Sequence, residues 1–262
     1  MVELSGVCLS YALKGKGEIS ALRQINARFD EGNFSAIVGP SGCGKTSLIK
    51  IIAALVSPSE GSVTVGGSPL SGIRADTALI FQDYGLLPWK TVRANAELPL
   101  RIKGKINNDD RRKAASLLAK FGLESFASSY PHQLSGGMKQ RLAIARALVA
   151  SPRLLLMDEP FSSLDAFTRE DAQEFLLAVQ REHRLTIIMV THSIEEAVYL
   201  ADAVYVMNGV NPGSITTRMP IVRDETATHS GFRGEGRFHD YCRLVRQACR
   251  GTGNGEQETG IL

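Results

Sequence analysis

At 262 residues, 44% hydrophobic and 22% charged, the chain has the make-up of a globular protein with room for one large α/β core or two smaller lobes. Its net charge of +3 is too near neutral to argue for nucleic acid as a partner, and it holds no run of about eighteen apolar residues to cross a membrane. Residues 1–5 (MVELS) lack the basic and then apolar pattern of a secretory signal. Cys8, Cys43, Cys242 and Cys249 lack metal-ligand spacing, so they read as reduced thiols of a protein kept inside the cell.

Residues 7–11 and 25–29 alternate around a polar turn near residues 14–18 and read as an antiparallel, hairpin-rich lead-in. Tyr11 offers an aromatic face for a base or packs half-buried in the core; the residues alone leave both open. Residues 34–38 read as a buried strand and 47–55 as a helix with apolar positions at helical spacing. Residues 61–67 alternate and then turn, and 78–81 form a second apolar run that ends at Gln82. The stretch 83–92 (DYGLLPWKTV) holds the only tryptophan, Trp89, in a loop that either meets a partner or folds onto its own core. Residues 111–121 and 138–149 are helical by periodicity, which suggests a helical insertion between core strands. The basic residues from Arg101 to Lys113 are diluted by Asp109 and Asp110 and read as a solvated face. Strand and helix then alternate: an unbroken apolar run at 154–157, a helix over 171–182, a strand over 186–190, and a capping box from Ser193 to Glu196 opening a helix to about Leu200. Residues 203–207 read as the final strand. Past Thr216 the pattern weakens, with one basic amphipathic helix over 238–250 and a glycine-rich, disordered tail over 251–262.

The chain is organised around Gly39-Pro40-Ser41-Gly42-Cys43-Gly44-Lys45-Thr46, which fits G-x-x-x-x-G-K-[ST] between a strand and a helix. Gly39, Gly42 and Gly44 allow positive φ and close approach to an anion, and successive N–H groups at a helix N-terminus favour phosphate. Lys45 reaches the β- and γ-phosphates as a point charge, and the Thr46 hydroxyl suits a hydrated magnesium ion. Asp158 and Glu159 end a buried strand on the edge where the loop begins, which places Asp158 to hold magnesium and Glu159 to act as general base. Gln82 and His192 end neighbouring strands, where the amide can sense magnesium or water and the imidazole can bond the γ-phosphate. Ser135, Gly136 and Gly137 form a second glycine-rich helix start suited to anionic oxygen. Two phosphate-seeking helix starts with one lysine-bearing loop suggest a dimer in which each site takes one element from each copy.

Over residues 2–215 the chain resembles the ATP-binding subunit of ABC transporters. Residues 39–46 match its Walker A motif, Gln82 its Q-loop and LSGGMKQ (134–140) its signature. Residues 154–160 match Walker B with the catalytic glutamate, residues 163–165 the D-loop and His192 the switch histidine. Tyr11 falls where the family stacks adenine, and Ser47 follows Thr46 where Ser-Thr is frequent. Ser193 stands where aspartate is common; neither departure removes a catalytic group. GLLPW (85–89), YPHQ (130–133) and DEPFSSLDAFTR (158–169) resemble the nitrate/sulfonate/taurine importer branch.

The resemblance implies an α/β P-loop NTPase with a RecA-like mixed sheet, an N-terminal antiparallel β subdomain and an inserted helical subdomain at about 84–150. The cassette spans 1–215 and a partly disordered extension 216–262. It implies ATP and Mg2+ as ligands. The expected partners are a second copy of the chain, integral-membrane permease subunits and, indirectly, an extracytoplasmic solute-binding protein, with no nucleic acid. The place of work is the cytoplasmic face of the cell membrane, and the solute a small organic or inorganic anion, a pyrimidine-type solute also fitting. The alternative is a non-transport ABC ATPase acting on nucleic acid or ribosomes, but the chain lacks the coiled-coil inserts and basic arms such proteins carry. A P-loop small-molecule kinase would leave LSGGMKQ unexplained.

Overall fold

The computed structural model describes residues 1–13, 17–223 and 229–251. The alternating lead-in forms β1 (Val2–Leu13) and β2 (Gly17–Phe29), paired antiparallel from Val2 opposite Phe29 to Leu13 opposite Gly17. Residues 14–16 of the expected turn and 252–262 of the expected disordered tail lie outside the described residues. β3 (Phe34–Val38) enters the glycine loop, which opens α1 (Lys45–Ile52). β4 (Glu60–Val65) and β5 (Ser68–Pro69) complete a four-stranded antiparallel sheet in the order β2-β1-β4-β5. After β6 (Thr77–Ile80) the chain turns helical in α2 (Val92–Ala96), α3 (Leu98–Lys103), α4 (Asn108–Lys120) and α5 (Gly136–Val149). Strand and helix then alternate through β7 (Leu154–Asp158), α6 (Ala166–His183), β8 (Thr186–Thr191), α7 (Ile194–Leu200) and β9 (Ala203–Asn208). β10 (Ser214–Pro220), α8 (His229–Phe232) and α9 (Gly236–Cys249) follow.

The second sheet has the order β10-β9-β3-β8-β7-β6; its neighbours are parallel except β10, which runs antiparallel to β9. Its strands are apolar without a break because side chains alternate between two covered faces. Leu154, Leu156, Ile188 and Val190 face α1 and the antiparallel sheet, packing with Phe29, Leu48 and Ile52. Leu155, Met157, Ile187 and Met189 face the helices, packing with Leu142, Leu176 and Tyr199. The result is the mixed-sheet α/β core with an antiparallel N-terminal sheet and a helical insertion.

Local chemistry moves several element ends. α1 stops at Ile52 because Ala54 takes a left-handed φ of 56° and two bonds, Leu55 N to Lys50 O and Ala54 N to Ile51 O, both 2.9 Å, close the helix. α6 begins at Ala166, five residues before the expected start, because the Asp165 carboxylate accepts from Thr168 N at 3.0 Å and caps it. The expected capping box at Ser193 is half made. Its hydroxyl accepts from Glu196 N at 3.2 Å, but the Glu196 carboxylate turns to the Thr191 hydroxyl at 2.7 Å, and Ser193 N donates to Thr191 Oγ1 at 3.1 Å. β9 is not the final strand. β10 extends the sheet across residue 215, and behind it Ile221, Phe232, Phe238, Cys242 and Val245 are buried in the helical-side core.

Candidate functional site

The glycine loop is shaped by what crowds it. A Cβ on Gly44 would lie 2.5 Å from Leu22 Cδ2 and 3.0 Å from Ala21 O, and its φ of 93° is left-handed, so a side chain is excluded twice over. Gly39 serves by close approach and not by positive φ: a Cβ there would lie 2.3 Å from Met207 O at the end of β9. Lys45 opens α1, and its ammonium turns into the loop, donating to Gly39 O at 2.8 Å and Pro40 O at 3.0 Å. Burial pushes the Cys43 thiol up, which keeps it a neutral packing group beneath the lysine. Tyr11, 39% exposed on β1, shares a 3.2 Å hydrogen bond between its hydroxyl and that of Ser47, so its ring borders the loop.

The carboxyl ends of four parallel strands bring the polar groups together. Thr46 Oγ1 donates to Asp158 Oδ1 at 3.2 Å. Burial raises the Asp158 carboxyl above the ordinary aspartate range, more than the Thr46 bond lowers it. Next in the chain, Glu159 is held at a φ of 47°, a costly backbone for a non-glycine residue. Its N–H donates to Val190 O at 2.9 Å and its carbonyl accepts from Ser162 Oγ at 3.0 Å, which fix that geometry. The Glu159 carboxylate then meets His192 Nδ1 at 3.0 Å. Gln82, just beyond β6, donates to Ser162 Oγ at 3.4 Å. A cleft of about 680 Å³ opens here, walled by Thr46, Lys50, Phe81, Gln82, Asp158 and Ser163 among others.

A hydroxyl, a desolvated carboxylate and an amide oxygen are the donors a hard divalent cation takes. Among the described residues no three or more His, Cys, Asp or Glu gather to hold a metal alone. A cation at this edge would therefore complete its shell with water and phosphate oxygens.

Ser135, Gly136 and Gly137 are not part of that cleft. Ser135 caps α5, accepting from Met138 N at 3.3 Å, and the two glycines let α5 close against the start of α6. A Cβ on Gly136 would lie 2.8 Å from Leu164 Cδ2, and one on Gly137 2.8 Å from Thr168 Cγ2.

The tryptophan loop folds back onto α2 and α5, the second of its two alternatives. Asn95, fully buried in α2, accepts from Leu87 N and donates to the carbonyls of Leu87, Lys90 and Thr91. Arg146 of α5 donates to Tyr84 O and Gly85 O, each at 2.6 Å. The backbone is pinned, yet Trp89 stands 71% exposed. Sequence reasoning missed Arg146 and the Arg169–Glu196 pair, whose partners are remote in the chain, and Asn95, whose partners lie nearby in a loop without a repeating pattern; an asparagine inside a helical stretch was the one local sign.

A phosphate loop, an acid–histidine pair and a capped glycine-rich helix on such a sheet define an ATP-binding cassette, the class of ATPases that cleave ATP to drive movement. The sequence pattern of the family described as ABC transporter matches residues 22–162, more than half of the chain, and the chain belongs to that family. It is 42% identical over 221 residues, 84% of each chain, to the taurine import ATP-binding protein TauB of Yersinia pestis bv. Antiqua (strain Antiqua). To the nitrate import ATP-binding protein NrtD of Synechocystis sp. it is 39% identical over 248 residues, 93% of each. Among solved structures it is similar to the ATP-binding cassette MJ0796 in a dimeric post-hydrolysis state bound to ADP and Pi, with a TM-score of 0.74 and 33% identity, covering 86% of this chain and all of that one. Among the described residues no helix is long and apolar enough to cross a membrane.

Proposed function

We propose that the chain is the ATP-hydrolysing subunit of an importer for a small anion, working with separate permease subunits at the cytoplasmic face of the membrane. The observation that carries this reading is the convergence of Lys45, Thr46–Asp158 and Glu159–His192 on one sheet edge. In the proposed reaction the amides of residues 39–47 and the Lys45 ammonium hold the phosphates, and the Tyr11 ring stacks on adenine. Thr46, Asp158 and Gln82 would hold Mg2+, whose charge neutralises the phosphate oxygens. Glu159 accepts a proton from water as it attacks the γ-phosphorus, and His192 fixes the glutamate and the terminal phosphate. ATP and water become ADP and phosphate.

Ser135, Gly136 and Gly137 of a second copy complete the site from the opposite side. The relative MJ0796 is dimeric, and these residues sit on a capped helix start outside their own chain's cleft. Trp89, exposed on a pinned loop, supports docking to a permease helix, through which closure of the two copies passes on. The names of the relatives TauB and NrtD favour a taurine- or nitrate-like anion, delivered by an extracytoplasmic binding protein that does not touch this chain. Replacing Glu159→Gln tests the chemistry: phosphate release should fall at least about 100-fold while ATP binding holds within a few fold. Turnover at the wild-type rate would overturn the assignment.

A further inference from the structure

The Glu159–His192 pair is not held by its own strands alone. Thr191, immediately before His192, is buried, and its hydroxyl donates to Glu196 Oε2 at 2.7 Å while accepting from Ser193 N at 3.1 Å. Both neighbours of the histidine are therefore tied, directly or through one hydroxyl, to the buried Glu196 carboxylate. The other oxygen of that carboxylate faces α6: Glu196 Oε1 lies 3.6 Å from Arg169 Nε. The same guanidinium donates from Nη2 to Leu164 O at 2.7 Å, in the loop that leads into α6. Leu164 in turn packs where Gly136 opens α5. A single side chain, Arg169, thus joins the segment 163–165, which lies against the glycine-rich helix start, to the carboxylate that sets the end of β8.

Two details mark this pair as more than a brace. Arg169 Nε is buried and, among the described residues, makes no hydrogen bond. It sits a few tenths of an ångström beyond hydrogen-bond range of a carboxylate that is itself buried. An unmade bond between a buried donor and a buried acceptor favours the small displacement that makes it. Movement of residues 163–165 carries Arg169 with it through the Leu164 carbonyl, and so reaches Thr191 and His192.

We propose that Arg169 and Glu196 are positioning residues for ATP hydrolysis: they transmit the placement of the loop 163–165 to His192 and so set how it meets Glu159. Neither touches substrate; they act through the Thr191 hydroxyl and the Leu164 carbonyl. This rests on the roles given above to Glu159 and His192.

The test is a double-mutant cycle in the full chain, with Arg169→Gln, Glu196→Gln and the double variant assayed for kcat, KM for ATP, nucleotide affinity and melting temperature, and Glu159→Gln as reference. Glutamine at 196 still accepts from Thr191, so that bond survives while the pairing to Arg169 is lost. The expected result is a kcat reduced about tenfold in each single variant, no further fall in the double, and nucleotide affinity within about twofold, with Arg169→Lys partly restoring kcat. Unchanged kcat, or losses that multiply in the double, would overturn the proposal. So would losses of affinity and melting temperature that parallel kcat, for those mark a purely structural pair. If Glu159→Gln itself kept full turnover, the reading of the site would fail instead, which separates the two.

Discussion

Glu196 is a carboxylate placed where water barely reaches, facing Arg169 from α6 and the His192 and Glu159 side chains from the sheet edge. Burial raises its pKa above the ordinary glutamate value, against the lowering by the Thr191 bond and Arg169. A raised folded-state pKa means that the folded chain binds this proton more tightly than the unfolded one. The group's favourable contribution is complete below the ordinary value and is lost as pH rises through the raised one. At neutral pH the ionised carboxylate therefore weighs against the fold. Glu196→Gln, neutral throughout, should melt no lower than wild type at pH 7, and its advantage should shrink as pH falls toward the ordinary glutamate range. Thermal melts across that range check this; a deficit growing with pH would contradict it. A residue kept at a cost to stability is expected where function uses it.

At the scale of elements, α7 follows His192 directly and is held at both ends by residues beyond the motifs. Arg246 of α9 pairs with Glu195 in its first turn at 2.7 Å. Arg223, nearly buried, donates to the carbonyls of Val198, Tyr199 and Ala201 at 3.2, 3.0 and 2.6 Å, satisfying the orphan acceptors at the C-terminal end. Arg223→Ala should destabilise the chain by about 2 kcal/mol, the usual loss for charge-assisted bonds to buried acceptors; denaturant unfolding measures it, and an unchanged midpoint would contradict the clamp. None of this was legible locally. β10 escaped notice because SITTRMP alternates weakly at a sheet edge, with every second residue in water. The short helices α2 and α3 were hidden by Pro99 and by the lack of a full amphipathic turn. The long apolar runs of β3, β7 and β8 were legible because both faces of those strands are covered.

For the whole molecule, the sheet collects at one edge Lys45, Thr46, Gln82, Asp158, Glu159 and His192, each at or past the end of a parallel strand, while the 134–140 motif opens α5 away from that edge. That is why the site could be read residue by residue: each glycine, carboxylate or histidine has a local reason to stand at a strand end or helix start. The ties behind it, Arg146 to the tryptophan loop and Arg169 to Glu196, join distant segments and carry no local pattern. The same geometry leaves Ser135 outside the cleft of its own chain, so the account turns on a second copy. A crystal structure of the Glu159→Gln variant with ATP and magnesium tests this most directly. Two copies should enclose two nucleotides, with Ser135 of each in hydrogen-bond reach of the γ-phosphate held by Lys45 of the other. A single copy binding ATP with Ser135 remote from any phosphate would contradict it.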